Sequence, residues 1–149
     1  MKTTSRLFVL CLLLSFSIDT YAQVVTSSRP ELFSIYSNNI AASTSELNKA
    51  FTAKVGSSIQ FNFADKFSFS GIILSSVQKY SNLSSVIICS PLLKNSLLSV
   101  SKRINDDKTM TFVDHIINEK YADGYELVKD NNGNYSFNKI QMADLIQDF

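Results

Sequence analysis

The chain has 149 residues, and its 14 basic and 13 acidic side chains leave a formal charge of +1. With no basic run longer than Lys102-Arg103, it lacks the clustered cations that bind nucleic-acid phosphates or anionic membrane surfaces. One histidine and two cysteines fall short of the ligand set of a closed zinc site, and no cofactor or metal is expected.

Met1-Lys2-Thr3-Thr4-Ser5-Arg6 carries two positive charges and no acid, an apolar run follows over 7–18, and Thr20-Tyr21-Ala22 precedes Gln23. Charged, apolar and small-residue segments in that order are what signal peptidase reads. The run is shorter than the roughly 20 residues that a membrane-crossing helix needs. Cys11 has no small residue before it, which argues against a lipid-anchored cysteine. Residues 1–22 are therefore predicted to be a signal peptide and the protein to be exported, periplasmic or extracellular, with no membrane attachment after cleavage. Lys2, Arg6 and Asp19 leave with the leader, so 12 basic and 12 acidic residues remain in 23–149. That length suits one domain. Only Cys89 survives processing. It ends the apolar run Val86-Ile87-Ile88-Cys89 and is expected to be a buried small hydrophobe.

Residues 23–42 read as a lead-in segment: polar to Pro30, then irregular over 31–42, with an edge strand as the one regular element it could hold. The β-rich domain is predicted over 43–149. Ser43-Thr44-Ser45-Glu46 has the form of a capping box. Leu47, Ala50 and Phe51 follow at helical spacing and Gly56 stops the run, which predicts a helix over 44–54. From Ser58 the period becomes two, and Ile59, Phe61 and Phe63 share one face. A second strand is predicted over 67–77, with Phe67, Phe69, Gly71 and Ile73 on one face, Ile72 and Leu74 on the other, and a bulge or bend at Gly71. Residues 78–82 then turn. Further strands are predicted over 83–89, 96–104, 109–117, 121–129 and 134–139. Asn132-Gly133 reads as a two-residue type I′ hairpin turn, and a short C-terminal helix is predicted from Gln141. Seven or so strands joined by short links must be antiparallel neighbours. The expected fold is mainly β (α+β): an antiparallel meander of about seven strands, as a curved sheet or small barrel, with one N-terminal helix.

Val77-Gln78-Lys79-Tyr80-Ser81-Asn82-Leu83 and Glu119-Lys120-Tyr121-Ala122-Asp123-Gly124-Tyr125-Glu126-Leu127, with the Ala22-Gln23 junction, resemble small exported proteins of Bacteroidota that carry no assigned function. The resemblance runs from Pro30 to the C-terminus. It implies a bacterial exported protein and no catalytic residues.

Candidate chemistry is sparse. His115 is the only histidine. A hydrolytic triad needs a nucleophile, a histidine and an orienting acid that meet in space, yet neighbouring strand residues point to opposite faces, so Asp114 is badly placed to orient His115. The same parity separates Asp123 from Glu126, and scatters an acid set of Asp123, Glu126 and Asp130. Asp106-Asp107 and Asp130-Asn131-Asn132-Gly133-Asn134 offer oxygen ligands but lack the order of a calcium loop, and read as turns. Catalytic residues are therefore not assigned. Tyr80, Tyr121, Tyr125 and Tyr135 lie near predicted strand ends and form the candidate binding set, because tyrosine offers rigid amphipathic contact area. The expected function is a non-enzymatic β-module that binds another protein or a surface glycan through its loops. The alternatives are a hydrolase using His115 and a small barrel carrying an apolar ligand.

Overall fold

The computed structural model describes residues 29–64 and 66–145. The predicted leader, its cleavage junction and residues 146–149 lie outside that range. Among the described residues eight strands form one antiparallel sheet: β1 (Asn39–Ala42), β2 (Ser58–Asn62), β3 (Ser68–Tyr80), β4 (Leu83–Ser90), β5 (Ser96–Ile104), β6 (Met110–Ile117), β7 (Asp123–Lys129) and β8 (Tyr135–Gln141). Their order is β1-β8-β7-β6-β5-β4-β3-β2. That is an unbroken meander from β2 to β8, with β1 laid against β8. The sheet curls into a half-barrel. Between its two edges the Ala64 N–H donates to the Ala41 carbonyl at 3.1 Å.

The curl follows from side-chain alternation. Phe61, Phe69, Ile73, Val86, Ile88, Leu98, Val100, Phe112, Ile116, Tyr125, Leu127, Tyr135 and Phe137 are all buried on the concave face. Aromatic rings fill that space edge to face or stacked: Phe61 and Phe63 lie 5.8 Å apart, Phe63 and Phe137 5.0 Å, Phe67 and Tyr125 5.7 Å. At Gly71, β3 lies close against β4. A Cβ there would sit 2.5 Å from the Cys89 carbonyl oxygen. The register shift expected at Gly71 falls instead between Ile73 and Ser75.

The lead-in closes one end of the half-barrel. Phe33 is fully buried, 5.3 Å from Tyr125 and 6.4 Å from Phe67 by ring centroids. The buried Asp123 carboxylate accepts from the Leu32 N–H at 2.6 Å and the Phe33 N–H at 2.8 Å. The Tyr125 hydroxyl donates to the Ser37 carbonyl at 2.7 Å.

One short helix, α1 (Thr44–Lys49), follows β1. The Ser43 hydroxyl accepts from the Glu46 N–H at 3.2 Å, so half of the capping box forms. Glu46 does not reach back: it accepts from the Asn62 N–H at 2.9 Å and pairs with Lys49 at 2.6 Å. The helix ends at Lys49 rather than Lys54. Phe51 and Thr52 donate to carbonyls three residues back, and this tighter winding sets Phe51 beneath Lys102, whose Nζ lies 4.4 Å from the ring centroid.

The β7–β8 loop is built differently from the predicted type I′ turn. Gly133 donates to the Asp130 carbonyl, Asp130 donates to the Asn134 carbonyl, and only Gly133 has positive φ, at 88°. This is a type I turn closed by a left-handed residue. The Asp130 side chain drives the difference by accepting from the Asn132 and Asn134 N–H groups. The β5–β6 loop repeats the design, with Lys108 at φ 65° in the place of Gly133. β8 runs on to Gln141, and 142–145 form a turn where the C-terminal helix was expected.

Candidate functional site

The four candidate tyrosines do not form a set. Tyr80 stands at the tip of the β3–β4 hairpin, 69% exposed, and Tyr121 is half-buried in the β6–β7 loop. Tyr125 and Tyr135 are in the core, because odd positions of β7 and β8 face inward. Burial, with Asp123 and Tyr36 nearby, pushes the Tyr125 hydroxyl up to about 12. The Tyr135 hydroxyl accepts from the Phe112 N–H at 3.1 Å. Neither is available to a partner.

The acids are equally dispersed. Asp123 holds the lead-in, while Asp130 and Asp107 organise their own loops, Asp107 accepting from the Thr109 N–H and hydroxyl. Those hydrogen bonds hold both loop carboxyls below the usual carboxylate range. Asp114 points inward and His115 outward. The acid that does approach His115 is Glu126, its register partner on β7, at 3.8 Å from Nε2. Ser99 is the register partner of His115 on the other side. One outward row thus carries serine, histidine and glutamate. Among the described residues Ser99 and His115 share no hydrogen bond. An oxyanion needs free N–H donors aimed at it, and Ser99, His115 and Glu126 all lie at paired ladder positions.

The convex face of β3–β6 is unusually apolar. Register places Ile72, Cys89, Leu97 and Ile117 side by side across four strands. At a strand spacing near 4.8 Å this ridge is about 14 Å long. Cys89, expected in the core, is half-buried on this face, because Ile88 and Ser90 take the inward positions of β4. Leu74 (54% exposed) and Ile87 flank the ridge, and Val113 (57%) lies one outward row further, beyond His115. Serines occupy the adjoining outward positions, and the Ser85 and Ser101 hydroxyls pair at 2.8 Å.

Each end of the ridge opens into a groove. Ser58, Gln60, Ser70, Ile72, Pro91 and Leu92 line one, about 440 Å³ in volume. Lys94, Leu97, Ile117 and Lys120 help line the other, about 280 Å³. The loop between β4 and β5 joins them and holds Leu92 in solvent, 81% exposed. It is a fixed structure: Ser90 caps the 3-10 turn Pro91–Leu93, Lys94 and Asn95 take φ of 55° and 65°, and the Asn118 amide donates to the Lys94 carbonyl at 2.9 Å. Left-handed backbone at two successive non-glycine residues costs free energy.

Sequence periodicity had put Ile72 and Leu74 on the second face of their strand. The same apolar character on β4, β5 and β6 was hidden among serines, and the ridge emerges only when register aligns four strands. Comparison of the chain with protein-family profiles, curated proteins and solved structures finds no match.

Proposed function

We propose that this chain is an exported, non-enzymatic β-module that binds another protein, and that the contact surface is the convex face of β3–β6 together with the Leu92 loop. The observation that carries this reading is the ridge of Ile72, Cys89, Leu97 and Ile117, bounded by two grooves. Contiguous exposed apolar surface with a polar rim marks interaction sites. A glycan would be met by exposed aromatic platforms, whereas here the face is aliphatic and Tyr80 stands apart from it. The concave side is occupied by packed rings, which counts against an apolar carrier.

The test uses the mature domain and a Leu74→Asp/Leu92→Asp variant, both immobilised after their melting temperatures are matched. Each is offered the exported fraction of the source cell. A protein retained by the first and at least about tenfold depleted on the second is expected, since losing about 1.4 kcal/mol is tenfold in affinity. Identical retention profiles would sink the assignment of the face. The runner-up, a hydrolase, rests on the Ser99–His115–Glu126 row. It predicts turnover of ester or peptide substrates that His115→Ala abolishes with folding intact.

A further inference from the structure

The wall of the half-barrel has one short ladder. β4 and β5 stay in register from Leu83↔Arg103 to Ser90↔Ser96, and β5 and β6 from Leu97↔Ile117 to Ile104↔Met110. β7 and β8 do so from Asp123↔Gln141 to Lys129↔Tyr135. β6 and β7 pair only at His115↔Glu126 and Ile116↔Tyr125. The ladder stops at Asp114. Antiparallel residues alternate in the neighbour they bond, so the N–H groups of Asp114 and Phe112 face β7. Phe112 instead donates to the Tyr135 hydroxyl, which reaches in from β8.

Asp114 sits at the head of this gap. Its carboxyl is fully buried, and among the described residues neither oxygen finds a hydrogen-bond donor. The inward residues around it are Phe112 and Ile116 on β6, Val86 and Ile88 on β4, Leu98 and Val100 on β5, Tyr125 and Leu127 on β7, and Tyr135 and Phe137 on β8. Among the described residues the other buried titratable groups are Asp123, Tyr125 and Tyr135, and no cation is buried with them. His115 and Glu126 face the opposite way. Phe33, Leu47 and Ala50, which belong to the same core, are apolar.

We propose that the β6–β7 seam is a pH-sensitive opening, shut while the Asp114 carboxyl is neutral and parted when it ionises. An ionised carboxylate without a partner is very costly in an apolar interior. The wall beside it, where the ladder is already missing, offers the carboxylate a path to water. Burial raises the Asp114 carboxyl well above the ordinary carboxylate range, and the adjacent His115 N–H, which lies outside hydrogen-bond geometry, offsets only part of this. The sign follows. The proton is held more tightly in the folded state, so this stabilisation is fully present below the unfolded pKa and is lost as pH rises through the folded value. Parting the seam exposes Phe112 and Tyr135, and gives the module a second apolar surface on the alkaline side only.

The test follows backbone amide exchange in the mature domain, as protection factors, across the range from about pH 5 to pH 9. The carboxyl carbon of Asp114 is titrated by NMR in the same samples. Tyr125 and Leu127 are expected to lose at least about tenfold in protection, while Val86, Leu98 and Val100 do not. The loss should track the Asp114 titration. Asp114→Asn keeps the shape and cannot ionise, and should make the profile flat. Asp114→Leu repeats the test should the buried amide prevent folding. Four results would each overturn the proposal: flat protection in the unmodified domain, a loss that persists in the variants, a loss equal in all strands, or an Asp114 carboxyl that titrates in the ordinary carboxylate range.

Discussion

Replacing Asp123 with Ala asks whether the lead-in is a working part of the fold. The carboxylate is fully buried and accepts two backbone N–H groups, Leu32 at 2.6 Å and Phe33 at 2.8 Å. Hydrogen bonds to a charged group contribute about 1.5–3 kcal/mol each. The Leu32 bond is only part-buried, so two bonds together point to about 3–4 kcal/mol. Phe33 adds to this if its ring leaves the cluster with Tyr125 and Phe67. Asp123→Asn keeps one acceptor oxygen and turns an N–H toward the other amide, so about 2 kcal/mol is expected. Urea unfolding followed by far-UV circular dichroism measures both. With a slope of about 2 kcal/mol per molar, the alanine variant should shift the midpoint by nearly 2 M. Limited chymotrypsin digestion should then cut after Leu32 or Phe33 in the variant and spare those bonds in the unmodified chain. A midpoint shift equivalent to less than about 1 kcal/mol would refute the clamp, because it would equal the cost of an ordinary surface change.

The two related loops should respond in opposite directions. Gly133 has φ 88° with open space around it, so Gly133→Ala should cost about 1 kcal/mol of purely backbone strain. Lys108 carries that strain natively at φ 65°, and Lys108→Gly should return up to about 1 kcal/mol. Gly71→Ala places a methyl 2.5 Å from the Cys89 carbonyl oxygen. A loss of about 2–3 kcal/mol in chemical denaturation is expected, as for overpacked cores. Asp130 is held below the usual range by the Asn134 and Asn132 amides. Its contribution is therefore present above the unfolded pKa and lost as pH falls through the folded value, and amide exchange in 130–134 should quicken in acid.

The meander was legible because each strand carries its own period-two signal and the links between strands are short. The strands predicted over 58–63, 83–89 and 96–104 return as β2, β4 and β5 with ends within a residue. β3 was cut short at Val77, since residues 78–80 are polar or exposed and their extended form is imposed by pairing with Leu83 and Ser84 on β4. β1 escaped a firm assignment for a related reason. Four residues, Asn39-Ile40-Ala41-Ala42, are too few to show a period, and Ile40 and Ala42 become strand residues by lying against Phe137 and Tyr135. Buried tyrosines were misplaced because tyrosine is at home on either face of a strand, and only the inward parity of Phe137 and Leu127 decides the matter.

The site was less legible than the fold, and the reason is register. A cross-strand row combines residues far apart in sequence, and nothing local marks Ile72, Cys89, Leu97 and Ile117 as neighbours. Once they are aligned, the two faces of the sheet obey different requirements. The concave face is filled with rings and leaves little freedom to vary without a cavity or a clash. The convex face needs only to be soluble, and alternating serines would have sufficed for that. Five large aliphatic residues there, Ile72, Leu74, Ile87, Leu97 and Val113, exceed what solubility asks for. So does a loop that spends backbone strain at Lys94 and Asn95 to keep Leu92 in water. Exposed apolar surface promotes self-association unless a partner covers it. The grooves at both ends give such a partner a fixed place to sit. The buried carboxyl on the other face works in the opposite sense, since Asp114 subtracts stability from a core that a leucine would fill. The apolar convex face and the buried Asp114 carboxyl are two places where this chain gives up stability that packing alone would have kept.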